Sequence, residues 1–264
     1  MTRTSEPATI CRMPKGGTDK PPLLFVHGAM LGAWCWDEHW LPAAADRGWA
    51  CHAVDLRGHG ADARNGRRRH IRLSHYVQDI VDAAAKLDEP PFLVGHSMGA
   101  RLVQDVAKSI AAPALVLIAP IPASGAWRAA SRIARCNWRD VVNLATGIPW
   151  SPSTLRQYLY SDDLDGALIE SYTQRAVPES LLTIYGLMLP RWRLPTTTPA
   201  LVMGAAKDAI VPRSVVRGTA HRYGTEPLIF DRTAHNLMLD TRWQPPLVAM
   251  LEWLERQLVG NDTK

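Results

Sequence analysis

Short, uninterrupted apolar runs recur along the chain and alternate with longer stretches of helical spacing. The runs fall at residues 23–26, 50–54, 92–94, 114–118, 200–203 and 228–230. Continuous apolar segments are typical of strands buried on both faces, and helices between them supply the crossovers of a parallel sheet. The pattern therefore predicts an α/β fold, a doubly wound and mostly parallel sheet covered by helices.

The stretches between the runs carry apolar residues at helical intervals. We expect Ser74 to cap a helix that begins there, and the last helix has Leu247, Leu251, Leu254 and Leu258 on one face. Each helix can thus bury one side against the predicted sheet.

The alternation of strand and helix stops between Pro120 and Pro199. A structureless loop of that length is rare inside a compact domain, and the spacing of leucine and tyrosine residues favours several short helices. We therefore expect a core formed by residues 1–120 and 199–264, with residues 121–198 inserted as a helical lid.

The aromatic and aliphatic side chains of the insertion favour an apolar substrate pocket. We expect Trp127 and Trp150 of the insertion to contact the substrate, together with Met30 and Leu237 of the core. The alternative is that the aromatic residues only pack the insertion onto the core. Several arginines of the insertion could bind a carboxylate or phosphate, or they could form the solvated face of a helix. These arginines are Arg128, Arg132, Arg135 and Arg139.

Composition narrows the class of protein. The 264 residues, 47% of them hydrophobic, suit one large domain, and the net charge is +5. The dense basic run at Arg67, Arg68 and Arg69 lacks interleaved aromatics, so we expect a solvated loop and no nucleic-acid partner. Neither a signal peptide nor a membrane span is evident, which predicts a cytoplasmic location.

The four cysteines show no paired or metal-type spacing; they are Cys11, Cys35, Cys51 and Cys136. We expect free, buried thiols, no metal site and no cofactor.

The segment Gly95-His96-Ser97-Met98-Gly99 lies between an apolar run and a helical stretch. A serine hydroxyl reacts only if it is exposed to substrate and assisted by a base. A Gly-x-Ser-x-Gly turn from strand to helix provides that exposure, so Ser97 is predicted to be a nucleophile.

A base and an orienting acid are expected after later strands. Asp208 follows the run at 200–203, and His235 follows the run at 228–230. We predict that His235 removes the Ser97 proton and that Asp208 orients the imidazole. The backbone N–H groups of Met98 and Ala29 are the expected donors to the oxyanion.

These motifs, with His27-Gly28 and Asp55-Leu56-Arg57-Gly58-His59-Gly60, resemble those of the α/β-hydrolase superfamily, in its serine esterase and lipase-like branch. The stretch from His27 to Trp36 is also similar to the start of plant methylesterases and hydroxynitrile lyases. Those lyases carry a lysine after the histidine, whereas this chain has Asn236.

The resemblance implies hydrolysis of a carboxylic ester of a hydrophobic small molecule through an acyl-enzyme. Two alternatives stay open: a thioesterase or lactonase that acts on a metabolic intermediate, and a non-catalytic protein that binds small molecules on the same fold. The sequence leaves the oligomeric state open.

Overall fold

The computed structural model describes residues 7–65, 70–107, 109–146, 148–191 and 197–261. A seven-stranded sheet runs through it in the order β1-β3-β2-β4-β5-β6-β7. The strands are β1 (Thr9–Arg12), β2 (Leu23–Val26), β3 (Cys51–Val54), β4 (Phe92–His96), β5 (Leu115–Ile118), β6 (Ala200–Ala205) and β7 (Leu228–Phe230). Only β1 is antiparallel to its neighbour, and the six predicted strands are all present.

The sequence pattern did not reveal β1. This strand pairs with β3 at the edge of the sheet, and most of its residues are exposed. An edge strand is held largely by backbone hydrogen bonds, so it needs no apolar run. By contrast, every side chain of β2 and β5 is at most 1% exposed, as expected for strands covered on both faces.

Helices connect the strands. Those of the core are α1 (Trp34–Asp37), α2 (Trp40–Ala45), α3 (Leu73–Ala84), α4 (Met98–Val106), α9 (Arg213–Arg222) and α10 (Gln244–Asn261). The expectation that Ser74 caps a helix is wrong, because α3 already begins at Leu73 with Arg72 as its N-cap.

Four further helices lie between β5 and β6: α5 (Trp127–Thr146), α6 (Pro152–Leu159), α7 (Gly166–Arg175) and α8 (Leu181–Met188). Helix α5 is kinked at Asn137. The start of α6 is fixed by Ser151, whose Oγ accepts a hydrogen bond from the Thr154 amide, and Asp165 caps α7 in the same way. The segment predicted to hold several short helices is therefore helical.

The cysteines, the basic run and the search for a membrane span complete the comparison with the sequence-based expectations. Cys35 and Cys51 are buried free thiols, but Cys11 and Cys136 are exposed, because the first lies on an edge strand and the second on the solvent side of α5. The basic run at Arg67, Arg68 and Arg69 lies outside the described residues. Within the described ranges, no helix combines the length and the apolar character needed to cross a bilayer.

The order of the strands fixes where a site can form. The chain adds β3 on one side of β2 and then places β4 on the other side. Such a reversal leaves a crevice at the carboxyl ends of the adjacent parallel strands. The residues that follow β2, β4, β6 and β7 meet at this edge.

Candidate active site

Ser97 occupies a strained turn between β4 and α4. Its backbone has φ 52° and ψ −110°, in the left-handed region of φ that side chains other than glycine rarely adopt. A Cβ atom at Gly95 would overlap the backbone of Gly99 and Ala100, and one at Gly99 would overlap the carbonyl of Val26. The two glycines are therefore required because the turn brings backbone segments into contact.

His235 and Asp208 form a buried pair. Nδ1 of His235 donates to Oδ2 of Asp208 at 2.8 Å, and the two residues are 3% and 4% exposed. The other carboxylate oxygen, Oδ1, accepts from the backbone N–H groups of Ile210 and Val211, both at 2.7 Å. These three hydrogen bonds fix the carboxylate and, through it, the imidazole plane.

His96 supports the same region from the strand before Ser97. Its Nε2 donates to the backbone carbonyl of His235 at 3.0 Å. Burial lowers the pKa of His96 well below its ordinary value, and the neighbouring His235 acts in the same direction. A neutral His96 therefore ties the end of β4 to the loop that carries His235.

A cavity of about 680 Å³, counting its opening to solvent, lies above Ser97 and His235. Its polar lining consists of His96, Ser97, His235 and Asn236. The rest of the wall is apolar, and just over half of its residues belong to α5, α6 and α8: Ala29, Met30, Ile121, Ala126, Ala129, Ala130, Ile133, Leu144, Trp150, Leu159, Ile184, Leu187, Met188 and Ile210. The space beside the serine thus suits an apolar ligand.

Two of the four residues expected to contact a substrate line this cavity, and two do not. Met30 and Trp150 lie on its wall. Trp127 is 62% exposed at the first position of α5, and Leu237 is fully buried in the core. Neither residue belongs to the described cavity wall, so contact of Trp127 and Leu237 with a substrate stays a prediction.

The two residues whose backbone amides are the expected oxyanion donors lie close to Ser97. Met98 is the first residue of α4, a position whose N–H has no acceptor within the helix. Ala29 lies on the cavity wall in the turn between Gly28 and Leu31. A Cβ atom at Gly28 would come within 2.7 Å of the His96 ring, so this turn packs directly against the serine loop. Their role as oxyanion donors stays a prediction.

A model of the alpha/beta hydrolase family matches residues 23–249. The chain belongs to the alpha/beta hydrolase family.

Curated relatives match only in part. A pyrethroid hydrolase from Sphingobium wenxiniae is 31% identical over 77 residues, which are 29% of this chain and 27% of that protein. Methylesterase 10 from Arabidopsis thaliana is 38% identical over 79 residues, 29% of this chain and 28% of the relative. The chain thus matches less than a third of the length of these relatives.

Solved structures of the family resemble the whole chain. The BpoC protein of Mycobacterium tuberculosis superposes with a TM-score of 0.73 at 22% identity and covers 97% of both chains. An esterase from Thermogutta terrifontis has a TM-score of 0.70 at 18% identity and covers 95% of this chain and 93% of its own. At these identities the likeness concerns the fold.

His27, directly after β2, braces the turn that contains Gly28 and Ala29. Its Nδ1 donates to the carbonyl of Gly28 at 2.8 Å, and its Nε2 accepts from the amide of Leu56 at 3.2 Å. Burial lowers the pKa of His27 to about 4, and the nearby His59 contributes in the same direction. The uncharged ring therefore connects the residues that follow β2 to those that follow β3 through hydrogen bonds.

The arginines of the insertion do not reach the ligand space. Arg128, Arg135 and Arg139 are exposed, and within the described residues no arginine lines the cavity. Arg132 is different, because its guanidinium donates to the backbone carbonyls of Asp208 and Ala209 at 3.3 and 3.0 Å. It thereby ties α5 to the loop that carries Asp208, a role that helical spacing alone does not reveal.

Sequence analysis also missed a buried ion pair beneath α8. His59 Nε2 lies 3.2 Å from Glu179 Oε2, and both side chains are fully buried. The other oxygen of Glu179 accepts from the hydroxyl of Tyr76 at 2.5 Å and from the amide of Ser180 at 3.0 Å. A charged residue beside an apolar helix is the only local signal of this contact.

Proposed function

We propose that this protein is a serine hydrolase that cleaves a carboxylic ester of a hydrophobic small molecule. Ser97 is the nucleophile, His235 the general base and then the general acid, and Asp208 the residue that orients the imidazole. The observation that carries the proposal is the shared cavity, with Ser97 and a carboxylate-paired His235 on the same wall.

The chemistry follows in two steps. His235 takes the proton of Ser97 as the hydroxyl oxygen bonds to the ester carbonyl carbon, and the amides of Ala29 and Met98 donate to the oxyanion that forms. Collapse of this intermediate breaks the bond to the alcohol oxygen, which receives the proton from His235. Water then attacks the acyl-enzyme with the same proton transfers and releases the acid.

The walls of the cavity support an apolar acyl group and a lid role for α5, α6 and α8. Ala130 of α5, Leu159 of α6 and Leu187 of α8 all line the cavity, so a ligand beside Ser97 is shielded from water by the insertion. A charged carrier such as a phosphate would lose its hydration in this cavity without a cation to replace it.

The names of the relatives are consistent with ester cleavage. Two partial relatives are a pyrethroid hydrolase and a methylesterase, and one structural neighbour is an esterase. These names favour a carboxylic ester over a thioester or a lactone as the first substrate to test.

A fluorophosphonate probe and a panel of activated short-chain esters test the proposal. Ser97→Ala should lose labelling and should lower kcat by about 10⁴-fold or more. Ser131→Ala is the matched control, because Ser131 lies exposed on α5 and bonds only to its own helix. Both variants should retain the melting temperature of the parent protein.

The outcomes separate the alternatives. Turnover that survives in Ser97→Ala contradicts the mechanism. A parent protein that folds and binds apolar ligands but never reacts with the fluorophosphonate is a binding protein on this fold. Faster hydrolysis of thioesters or lactones than of matched esters reassigns the bond that is cleaved.

A further inference from the structure

The side chain of Asn236 is a buried polar group that the catalytic assignment does not use. Asn236 is 1% exposed and lines the cavity beside Ser97. Neither its Nδ2 nor its Oδ1 meets the distance and angle of a hydrogen bond with any described residue. Burying an amide without partners costs roughly 1 to 3 kcal/mol, so such groups usually have a ligand.

The backbone of Asn236 is firmly placed. Its N–H donates to the carbonyl of Leu159, the last residue of α6, at 3.0 Å, and its carbonyl accepts from the amide of Leu239 at 2.9 Å. The unpaired amide is therefore held at the cavity by a fixed backbone.

Tyr160 is the polar neighbour of this amide. Burial raises the pKa of Tyr160 above its ordinary value, and a hydrogen bond with the Asn236 side chain, too poorly aligned to satisfy the amide, acts in the opposite direction. The tyrosine is therefore a neutral hydroxyl at physiological pH. The surroundings of Asn236 thus hold hydrogen-bonding groups without a formal charge.

We propose that Asn236 is a specificity-determining residue that hydrogen-bonds a hydroxyl on the alcohol part of the ester. This inference rests on the proposed function of Ser97 and His235. His235 delivers its proton to the leaving alcohol, and the next residue in the chain has its Cα only about 3.8 Å away. Asn236 therefore faces the side of the scissile bond from which the alcohol departs.

A hydroxyl is the group that suits this amide best. A carboxamide offers two donors on Nδ2 and an acceptor on Oδ1, and rotation by half a turn exchanges the two atoms. A hydroxyl can accept from one atom or donate to the other, so it binds in either orientation. An ion would be poorly tolerated, because the rest of the wall is apolar. The substrate class is thus an apolar acid esterified to an alcohol that keeps a free hydroxyl.

Matched esters test the assignment. In 2-hydroxyethyl butyrate and propyl butyrate, a hydroxyl on the alcohol part replaces a methyl group of similar size. Methyl mandelate and methyl 2-phenylpropanoate form the corresponding pair, with the hydroxyl in place of a methyl group on the acid part. For each pair, kcat/KM of the hydroxyl ester is divided by kcat/KM of its partner, and this ratio is compared between the parent protein and each variant. The intrinsic reactivities of the esters are the same for every variant, so they do not affect the comparison.

Asn236→Leu removes both hydrogen-bonding atoms and keeps the branched arrangement of the side-chain heavy atoms. We expect the ratio for the butyrate pair to fall by about tenfold, because the hydroxyl loses its partner. The melting temperature should stay the same or rise, since the substitution also removes an unpaired buried amide. Asn137→Leu, an exposed position at the kink of α5, is the matched control and should leave both ratios unchanged.

Three results would overturn the proposal. They are a butyrate ratio that is unchanged in Asn236→Leu with both rates at the parent's level, a butyrate ratio that is unchanged because both rates fall equally, and a ratio that changes only for the mandelate pair. Equal falls would mean that Asn236 only positions His235. If the parent protein fails to react with the fluorophosphonate, the proposed function has failed first, whereas normal labelling with an unchanged ratio refutes the role of Asn236 alone.

Discussion

The ion pair between His59 and Glu179 makes Glu179→Gln a sharp test of how the insertion is attached to the core. Both side chains are fully buried, and Glu179 immediately precedes Ser180, the N-cap of α8. Glutamine keeps an oxygen that can accept from Tyr76 and the Ser180 amide, so the substitution removes mainly the charge. His59 is left without its anionic partner.

The expected loss of folding stability in Glu179→Gln follows from the burial of both side chains of the pair. Removing one partner of a buried pair typically costs 3 to 5 kcal/mol when the remaining charge stays in place. His59 can release its proton instead, and the hydrogen bonds to Tyr76 weaken from charged to neutral strength. We therefore expect a loss of about 2 to 4 kcal/mol below pH 6.5, seen as a fall in Tm of roughly 5 to 10 °C.

The loss should depend on pH in a defined direction. Burial alone would lower the pKa of His59, but the Glu179 carboxylate outweighs it and raises this pKa above 6.5. Burial would likewise raise the pKa of Glu179, but His59 and Tyr76 lower it below 4.5. The raised pKa of His59 stabilises the fold fully below pH 6.5, and this stabilisation is lost as the pH rises through the pKa of His59 in the folded protein. The lowered pKa of Glu179 stabilises the fold fully above pH 4.5, and this stabilisation is lost as the pH falls through the pKa of Glu179 in the folded protein. The pair stabilises the fold most between these two values.

Urea unfolding of the parent protein and Glu179→Gln at pH 5.5 and pH 9 measures the effect, with Glu170→Gln on the exposed face of α7 as the control. The difference in unfolding free energy should be several times larger at pH 5.5. Since α8 also contributes Ile184 and Leu187 to the cavity wall, kcat/KM should fall with it. Equal differences at both pH values would refute the assignment of a charged pair.

Three further substitutions have defined outcomes. Gly99→Ala should prevent or severely weaken folding, because the added Cβ would overlap the carbonyl of Val26; far-ultraviolet circular dichroism checks this, and a stable variant would contradict the packing described. Asp208→Asn should retain the fold but lower kcat by about 10⁴-fold, because an amide no longer stabilises the protonated His235; a loss below tenfold would argue against the role of the carboxylate. Ala130→Leu adds bulk to the cavity wall and should reduce kcat/KM for hexanoate esters far more than for acetate esters, a result that steady-state kinetics on both chain lengths would show or exclude.

Local pattern was sufficient for the six parallel strands, though not for the edge strand β1, and for the order of the reactive residues. The six buried parallel strands follow from apolar runs, because a strand covered on both faces must be apolar throughout. The turn around Ser97 follows from the two glycines, whose need arises within a few residues of chain. The proximity of Asp208 and His235 could be expected because both follow parallel strands, whose carboxyl ends share one edge.

The tertiary structure decided which side chains reach the cavity. Trp127 and Trp150 look alike in the sequence, yet Trp127 faces solvent at the start of α5, whereas Trp150 lines the cavity from the connection between α5 and α6. Which of them is buried depends on their packing partners. Nothing in the local pattern of Asn236 shows that its amide is buried at the cavity without a well-aligned hydrogen bond. The pairing of His59 with Glu179 likewise joins a core loop to the insertion across a long stretch of chain. The sequence by itself determined the parallel strands of the sheet and the candidate nucleophile through short-range backbone and burial constraints, whereas the lining of the cavity was decided only by how distant segments pack together.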